Sequence, residues 1–251
     1  MNIIRFKTNA AEDRLSKLIN RVELIKDSDE LSSILDESQK LYSVKNISYV
    51  GFRMGKATLK EPVAFWTYAK SWIDHYRDKD YINVDPVVKE TSKSIIPLDW
   101  ASFSRAERKV SKFFSEAADA GVGTQGISIP VRGRNGDFSI FTLTFEESIE
   151  TWSQFKSDFM RDFQTLAVFF HQSTLRAYKV DIPEFELTDR ESEILYWAAC
   201  GKTSDETAMI LGISKRGVRY HASNILSKLN AVNITHAVGK GIYYNLINPP
   251  R

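Results

Sequence analysis

A single cysteine, Cys200, is all that the 251 residues contain. No disulfide framework and no cysteine-rich zinc site can be built from it, and its scarcity fits a reducing compartment. Long apolar runs are missing as well. No window approaches the roughly eighteen uninterrupted apolar residues that a membrane-crossing helix needs. The stretch Met1 to Ser16 carries Arg5, Lys7, Glu12, Asp13 and Arg14, with no apolar core of signal-peptide length. These absences predict a cytoplasmic protein with no membrane partner. Excess charge is lacking too: Lys and Arg total 34 against 32 Asp and Glu, a net +2, so only the distribution of charge can point to nucleic acid. The sequence has no His-x-His-x-Asp metal pattern, no Gly-x-Ser-x-Gly elbow and no phosphate loop. No enzyme, metal site or cofactor is expected.

What is present is a chain with 43% hydrophobic and 26% charged residues, enough for a packed core and long enough for two domains. Ala11 to Lys26 places Leu15, Leu18, Ile19, Val22 and Ile25 at helical spacing, and Asp29 to Tyr42 repeats the pattern with Leu31, Ile34, Leu35 and Leu41. Runs rich in β-branched and aromatic residues follow at Ile47–Met54, Pro62–Tyr68, Ile127–Val131 and Phe138–Phe145. Asn135-Gly136 between the last two predicts a hairpin. Ser104 to Ala120 reads as a helix ended by Gly121, and Trp152 to Tyr178 as a long helix. Helices, then strands, then helices predict an α+β fold with an antiparallel sheet flanked by helices. This first domain is taken as residues 1–178.

Residues 179–186 are acidic, hold Pro183 and read as a linker. From residue 187 to 251 the pattern is purely helical. Thr188-Asp-Arg-Glu191 and Thr203-Ser-Asp-Glu206 are capping boxes, Gly201 and Gly212 are helix stops, and Ser214 caps a helix through Leu229. Asn233 to Leu246 makes the last of four helices. Two short helices, a glycine turn and a longer helix form a helix-turn-helix. From Thr207 to Arg251 there is no Asp or Glu, against Lys215, Arg216, Arg219, Lys228, Lys240 and Arg251. A near-neutral total therefore conceals a basic segment placed where a reader of double-stranded DNA needs cations.

In Ser214–Leu229, Val218, Ala222, Ile225 and Leu229 share the packing face; Lys215, Arg216, Arg219, Tyr220, Ser223 and Ser227 fall largely on the other. Such a helix enters a major groove N-terminal end first. Arg219 is the candidate for base-edge contact, because its planar fork matches two guanine acceptors. Lys215, Arg216 and Lys228 are expected on phosphates, and Thr203, at a helix N-terminus, is a further candidate for one. Gly217 either permits close approach to the DNA backbone or is tolerated in the first helical turn. His221 and Cys200 read as packing residues.

Leu187-Thr-Asp-Arg-Glu-Ser-Glu-Ile-Leu, Trp197, Gly201-Lys-Thr, Glu206, Leu211-Gly-Ile-Ser and Val218-x-x-His-x-x-Asn-Ile-x-x-Lys-Leu229 resemble the four-helix DNA-binding domain of the LuxR/FixJ superfamily. Tyr68-x-x-x-Trp72-x-x-x-Tyr76, Asp85-Pro86-Val87, Trp100, and Gly126 followed by Pro130 resemble the acyl-homoserine-lactone-binding domain of LuxR-type quorum-sensing receptors. The resemblance implies an N-terminal α-β-α sandwich around a five-stranded antiparallel sheet. It also implies a small-molecule autoinducer, dimerisation and a two-fold-related operator. The sequence departs from the family in having Ala69 where proline is common, and a glycine loop, Gly121–Gly126, that is one residue longer.

An N-acyl homoserine lactone brings an amide N–H, at least two carbonyls and an apolar tail. By resemblance, and in keeping with the donor and acceptor inventory, Asp85 accepts the amide N–H, the Trp72 indole donates to the lactone carbonyl and Tyr68 donates to the acyl carbonyl. Trp100 offers a flat face to the ring, Thr142 a further hydroxyl, and Tyr76 a wall; Gly126 marks a close approach. The alternative is a regulator of the same type that answers to a different small molecule or to none. The homodimer is expected to form through the long helix Trp152–Tyr178 and the last helix Asn233–Leu246.

Overall fold

The computed structural model describes residues 10–54, 62–133, 136–180 and 185–248. The chain divides into two compact units, with the break between Val180 and Asp181. Linker residues 181–184, Pro183 among them, lie outside the described residues, as does Asn135 of the expected hairpin turn.

In the first unit, α1 (Ala10–Leu24) and α2 (Ser28–Tyr42) precede β1 (Asn46–Phe52) and β2 (Val63–Trp66). Asp27 caps α2 by accepting from the Asp29 N–H. Leu31, Ile34, Leu35, Ser38 and Tyr42 form its buried stripe. Then come α3 (Lys70–Asp78), a 3₁₀ turn at Tyr81–Asn83, and α4 (Pro86–Thr91). β3 (Leu98–Asp99), α5 (Arg108–Asp119), β4 (Gln125–Arg132), β5 (Phe138–Phe145) and α6 (Ile149–Ala177) complete it. The sheet has five strands in the order β2-β1-β5-β4-β3, every neighbouring pair antiparallel. The two-residue β3 is too short to leave a periodicity in the sequence, and only the family resemblance anticipated a fifth strand. β4 and β5 pair down to Arg132↔Phe138, so the hairpin forms where Asn135-Gly136 placed it.

Alternation along the strands gives the two faces of the sheet opposite characters. Ile47, Tyr49, Ile127, Ile129, Val131, Phe141, Leu143 and Phe145 point to one side and pack with Leu18, Val22, Ile34, Phe163, Leu166 and Phe170 of α1, α2 and α6. The residues between them are Ser48, Val50, Gly126, Ser128, Pro130, Ile140 and Thr142. They are small or short, and a largely aromatic cluster from α3, α4, α5 and the turns before α4 and α5 faces them: Trp72, Tyr81, Val87, Trp100, Phe113 and Phe114. Large side chains fill one face and leave room on the other.

The second unit is helical: α7 (Asp189–Ala199), α8 (Ser204–Leu211), α9 (Lys215–Lys228) and α10 (Ile234–Tyr243). Both expected capping boxes form, Thr188 with Glu191 and Thr203 with Glu206. Gly212 ends α8 at φ 63°, and Ser214 caps α9 by accepting from the Gly217 N–H at 3.1 Å. Gly217 thus sits in the first turn of α9, where the cost of glycine is small. Ile194, Leu195, Val218, Ile225, Leu229 and Ala237 form the core. Gly241 belongs to it as well, since a Cβ there would stand 2.8 Å from Leu195 Cδ2; α10 needs that glycine to lie on α7.

Two residues expected on phosphates have other work. The Lys228 ammonium bonds Glu191 Oε2 at 2.7 Å and the Glu186 carbonyl at 3.0 Å. Glu191 is only 3% exposed. Burial pushes its carboxyl up, and Lys228 with the Thr188 N–H outweighs that and holds it below the usual range. The Thr203 hydroxyl donates to Glu206 Oε2 at 2.9 Å and accepts from the Glu206 N–H. In both cases the cap chemistry of the neighbouring helix claims the group. Lys228→Ala should therefore cost the second unit roughly 1–3 kcal/mol, because it leaves a buried carboxylate short of its partner. It should leave the salt dependence of DNA binding unchanged; denaturant unfolding and a salt titration read the two effects separately.

Candidate functional site

The open face of the sheet and helices α3, α4 and α5 enclose a cavity of about 460 Å³. Tyr68, Trp72, Tyr76, Asp85, Trp100 and Thr142 all line it, together with Ser48, Val50, Ala64, Trp66, Ile73, Val88, Phe113 and Ile140. Six of the seven residues singled out in the sequence thus meet at one place although they come from five different segments.

Local structure explains each position. Trp72 and Tyr76 are one turn apart on α3 and share a face. Asp85 precedes Pro86, which opens α4, and its Oδ1 caps that helix by accepting from the Val87 N–H at 2.8 Å. Its Oδ2 accepts from the Tyr76 hydroxyl at 2.9 Å. Tyr76 is therefore more than a wall: it helps hold the carboxylate. Burial pushes the Asp85 carboxyl up to about 6, against the pull of Tyr76 and the Val87 and Val88 N–H groups. An ionised carboxylate has room for about four hydrogen bonds, so acceptor capacity remains on the cavity side. Burial also pushes the Tyr68 hydroxyl up to about 12, which keeps it a neutral phenol at physiological pH, 3.2 Å from Ser48 Oγ.

Trp100 starts the 3₁₀ turn Trp100–Ser102, capped by Asp99. Its indole N–H donates to Ser128 Oγ at 3.0 Å, and Ser128 is 2.9 Å from Thr142 Oγ1. Gly126 does not line the cavity. It lies under the Trp100 ring, where a Cβ would come within 2.4 Å of Cδ2, so its lack of a side chain is what lets the indole lie flat on β4. Ser48 and Ser128 were missed in the sequence. Isolated serines in strands carry no signal of their own; the register that sets both beside Thr142 reveals them, with Ser48 also in reach of the Tyr68 hydroxyl. The Trp72 indole N–H differs from that of Trp100: no acceptor takes it among the described residues. The cavity therefore has an apolar body whose lining includes a carboxylate, a phenol and an indole with an N–H unclaimed among the described residues.

The second unit presents a basic face. Lys215, Arg216, Arg219, Tyr220 and Ser223 are all exposed on α9, opposite Val218 and Ile225. Lys215 pairs with Asp205 at 2.6 Å, an exposed pair that is weak in water. Arg216 and Arg219 make no ion pair among the described residues. Among the described residues no group of His, Cys, Asp and Glu could hold a metal ion, and no helix is long and apolar enough to cross a membrane.

Comparison with known proteins agrees with both units. Residues 27–174 match the family described as autoinducer binding domain. Residues 186–240 match the bacterial regulatory proteins of the luxR family. The transcriptional activator protein RaiR of Rhizobium etli is 34% identical over 69% of this chain and 72% of its own. VanR of Vibrio anguillarum, also a transcriptional activator protein, is 28% identical over 94% and 98%. The fold is that of Escherichia coli SdiA, at a TM-score of 0.65 and 22% identity over 94% of this chain and 98% of that one. SdiA in complex with octanoyl-rac-glycerol gives a TM-score of 0.66 at 23% identity, over 98% and 100%. The chain belongs to the luxR family of bacterial transcriptional regulators, with an autoinducer-binding domain followed by a helix-turn-helix DNA-binding domain.

Proposed function

We propose that the cavity takes an N-acyl homoserine lactone and that the protein, a cytoplasmic homodimer, reads a two-fold-related DNA site under that ligand's control. The domain boundaries are those drawn from the sequence: receptor 1–178, linker 179–186, DNA-binding domain 187–251. One observation carries the ligand reading. A carboxylate acceptor, Asp85, and an unclaimed donor, the Trp72 indole, face the same apolar cavity. The ligand has an amide N–H for the first and a ring carbonyl for the second, and leaving either partner buried and unpaired would cost roughly 1–3 kcal/mol. Tyr68 donates to the acyl carbonyl, with Thr142 beside it. Trp100 covers the ring, and Gly126 makes room for Trp100. The tail takes the apolar lining of Val50, Ala64, Trp66 and Ile73. The role is regulatory rather than catalytic.

A second reading keeps the site and changes the head group. A monoacylglycerol, the class bound by SdiA in the complex named above, offers hydroxyls to Asp85 and an ester carbonyl to Trp72, and Ala69 and the longer glycine loop alter the walls. The unclaimed indole suits a carbonyl in either case. The amide of the lactone suits the carboxylate better, because a buried anion gains most from a donor that cannot also accept.

Asp85 gives the test and its pH sign. Its folded value of about 6 lies above the ordinary carboxyl value of 3.8. Between these values the ligand-free folded chain holds a proton that the unfolded chain has lost, and the resulting stabilisation fades as pH rises through 6. A ligand N–H bonded to the anion favours the ionised form. Acyl-homoserine-lactone affinity is therefore expected to weaken as pH falls below about 6. Asp85→Asn should weaken it by roughly 10- to 100-fold at pH 7.5 and flatten that pH dependence. Unchanged affinity in the variant by calorimetry would refute the assignment.

On the DNA side Arg219 reads a base edge, Lys215 and Arg216 contact phosphates, and Tyr220 and Ser223 lie on the same face. Dimerisation through α6 and α10 sets two such helices on one operator; Val168 of α6 and Ile242 of α10 are exposed, at 53% and 47%. Arg219→Ala is expected to lose about 1–3 kcal/mol of discrimination between operator and random DNA while ligand affinity stays at the parent value. Operator preference retained at matched salt would remove Arg219 from base readout.

A further inference from the structure

Trp72 lines the cavity and its indole N–H makes no hydrogen bond among the described residues that would fix the ring. Its orientation must come from its walls. The His75 ring lies 5.8 Å from it at 34°, and the Tyr81 ring 6.2 Å away at 36°. Neither lines the cavity. Both are tied to one carboxylate behind them. Glu116 Oε2 accepts from the Tyr81 hydroxyl and bonds His75 Nε2 at 2.7 Å, and Lys112 stands 3.4 Å from Oε1. Those partners come from separate elements: His75 from α3, Tyr81 from the 3₁₀ turn, and Glu116 and Lys112 from α5. One side chain thus ties together two of the rings that border Trp72.

We infer that Glu116 is a positioning residue for ligand recognition: through His75 and Tyr81 it holds the Trp72 indole at the angle from which its N–H meets a ligand carbonyl. The inference rests on the reading of the cavity as an acyl-homoserine-lactone site. Glu116 does not line the cavity; it reaches Trp72 through His75 and Tyr81, and Tyr81 also packs on Tyr76 and Phe113. Of the ligand contacts, that of Trp72 has two of its ring neighbours held by Glu116, so its loss is expected to dominate when Glu116 is removed, over any change in the hold on the tail and the amide. A purely structural role, a pin between α3 and α5, would weaken every ligand alike.

A pair of ligands separates these cases. An N-acyl homoserine lactone and the N-acyl cyclopentylamide of the same chain share tail and amide, and only the first has the ring carbonyl. The full-length protein is expected to bind the lactone about tenfold more tightly, the worth of one hydrogen bond at the upper end of the neutral range. Glu116→Ala should bring that ratio close to one by weakening lactone binding, with the cyclopentylamide affinity held within about twofold. Trp72→Phe should do the same, and Trp72→Phe with Glu116→Ala should be no worse than Trp72→Phe alone. Glu116→Gln, which keeps the size and one acceptor, should restore most of the ratio. An equal loss for both ligands in Glu116→Ala, or a tenfold ratio that survives it, overturns the inference. If the parent protein binds neither ligand, the lactone reading fails. The Trp72 indole N–H resonance of the ligand-free protein then decides the matter for Glu116: a signal shifted or broadened in Glu116→Ala supports the positioning role, and an unchanged signal overturns it.

Discussion

A carboxylate buried to 7% exposure inside an aromatic cluster is the constraint that organises the first unit. Asp85 could not remain there without hydrogen-bond donors. The chain supplies them from two directions, a helix start that begins with proline and a tyrosine one turn beyond Trp72. Both also fix where α3 and α4 lie over the sheet. The same demand leaves the carboxyl short of full compensation, as its raised value of about 6 records. A ligand N–H is the missing donor in this account. Binding and folding are then two sides of one thermodynamic term, because a molecule that satisfies Asp85 only in the folded chain stabilises that chain by mass action.

The cavity around Asp85 is a consequence of strand alternation. Phe141, Leu143 and Phe145 fill one face of β5, while Ile140 and Thr142 stand on the other. β1 and β4 do the same with Tyr49 against Ser48 and Ile129 against Ser128. The arrangement puts polar hydroxyls on the floor and aromatic side chains in the roof. Gly126 completes it by removing a Cβ from beneath Trp100. A closed core of uniform side chains would be more tightly packed and would have no place for a ligand.

Much of this was legible in the sequence, and the gaps have physical reasons. Helical periodicity announced α1, α2 and α6, and the two capping boxes and helix-stop glycines marked α7 and α8 almost to the residue. The family resemblance carried by Tyr68, Trp72, Tyr76, Asp85 and Trp100 pointed to residues that line one cavity. What escaped depends on partners distant in the chain. Ser48 and Ser128 gain meaning only from sheet register, β3 from its neighbour, Gly241 from Leu195, and Glu116 from two rings about forty residues away in sequence. The intramolecular partners of Lys228 and Thr203 were hidden for the same reason. A basic or hydroxyl side chain on a DNA-facing segment looks free until the capping box that claims it is seen.

The most direct test of the central claim is the small-molecule content of the protein itself. The full chain would be expressed with a mixed panel of acyl-homoserine lactones, its soluble yield recorded with and without the panel, and the purified protein extracted for mass spectrometry. The account predicts a higher soluble yield with the panel and one lactone retained at close to one molecule per chain. A folded, soluble protein that retains none of the panel would contradict it.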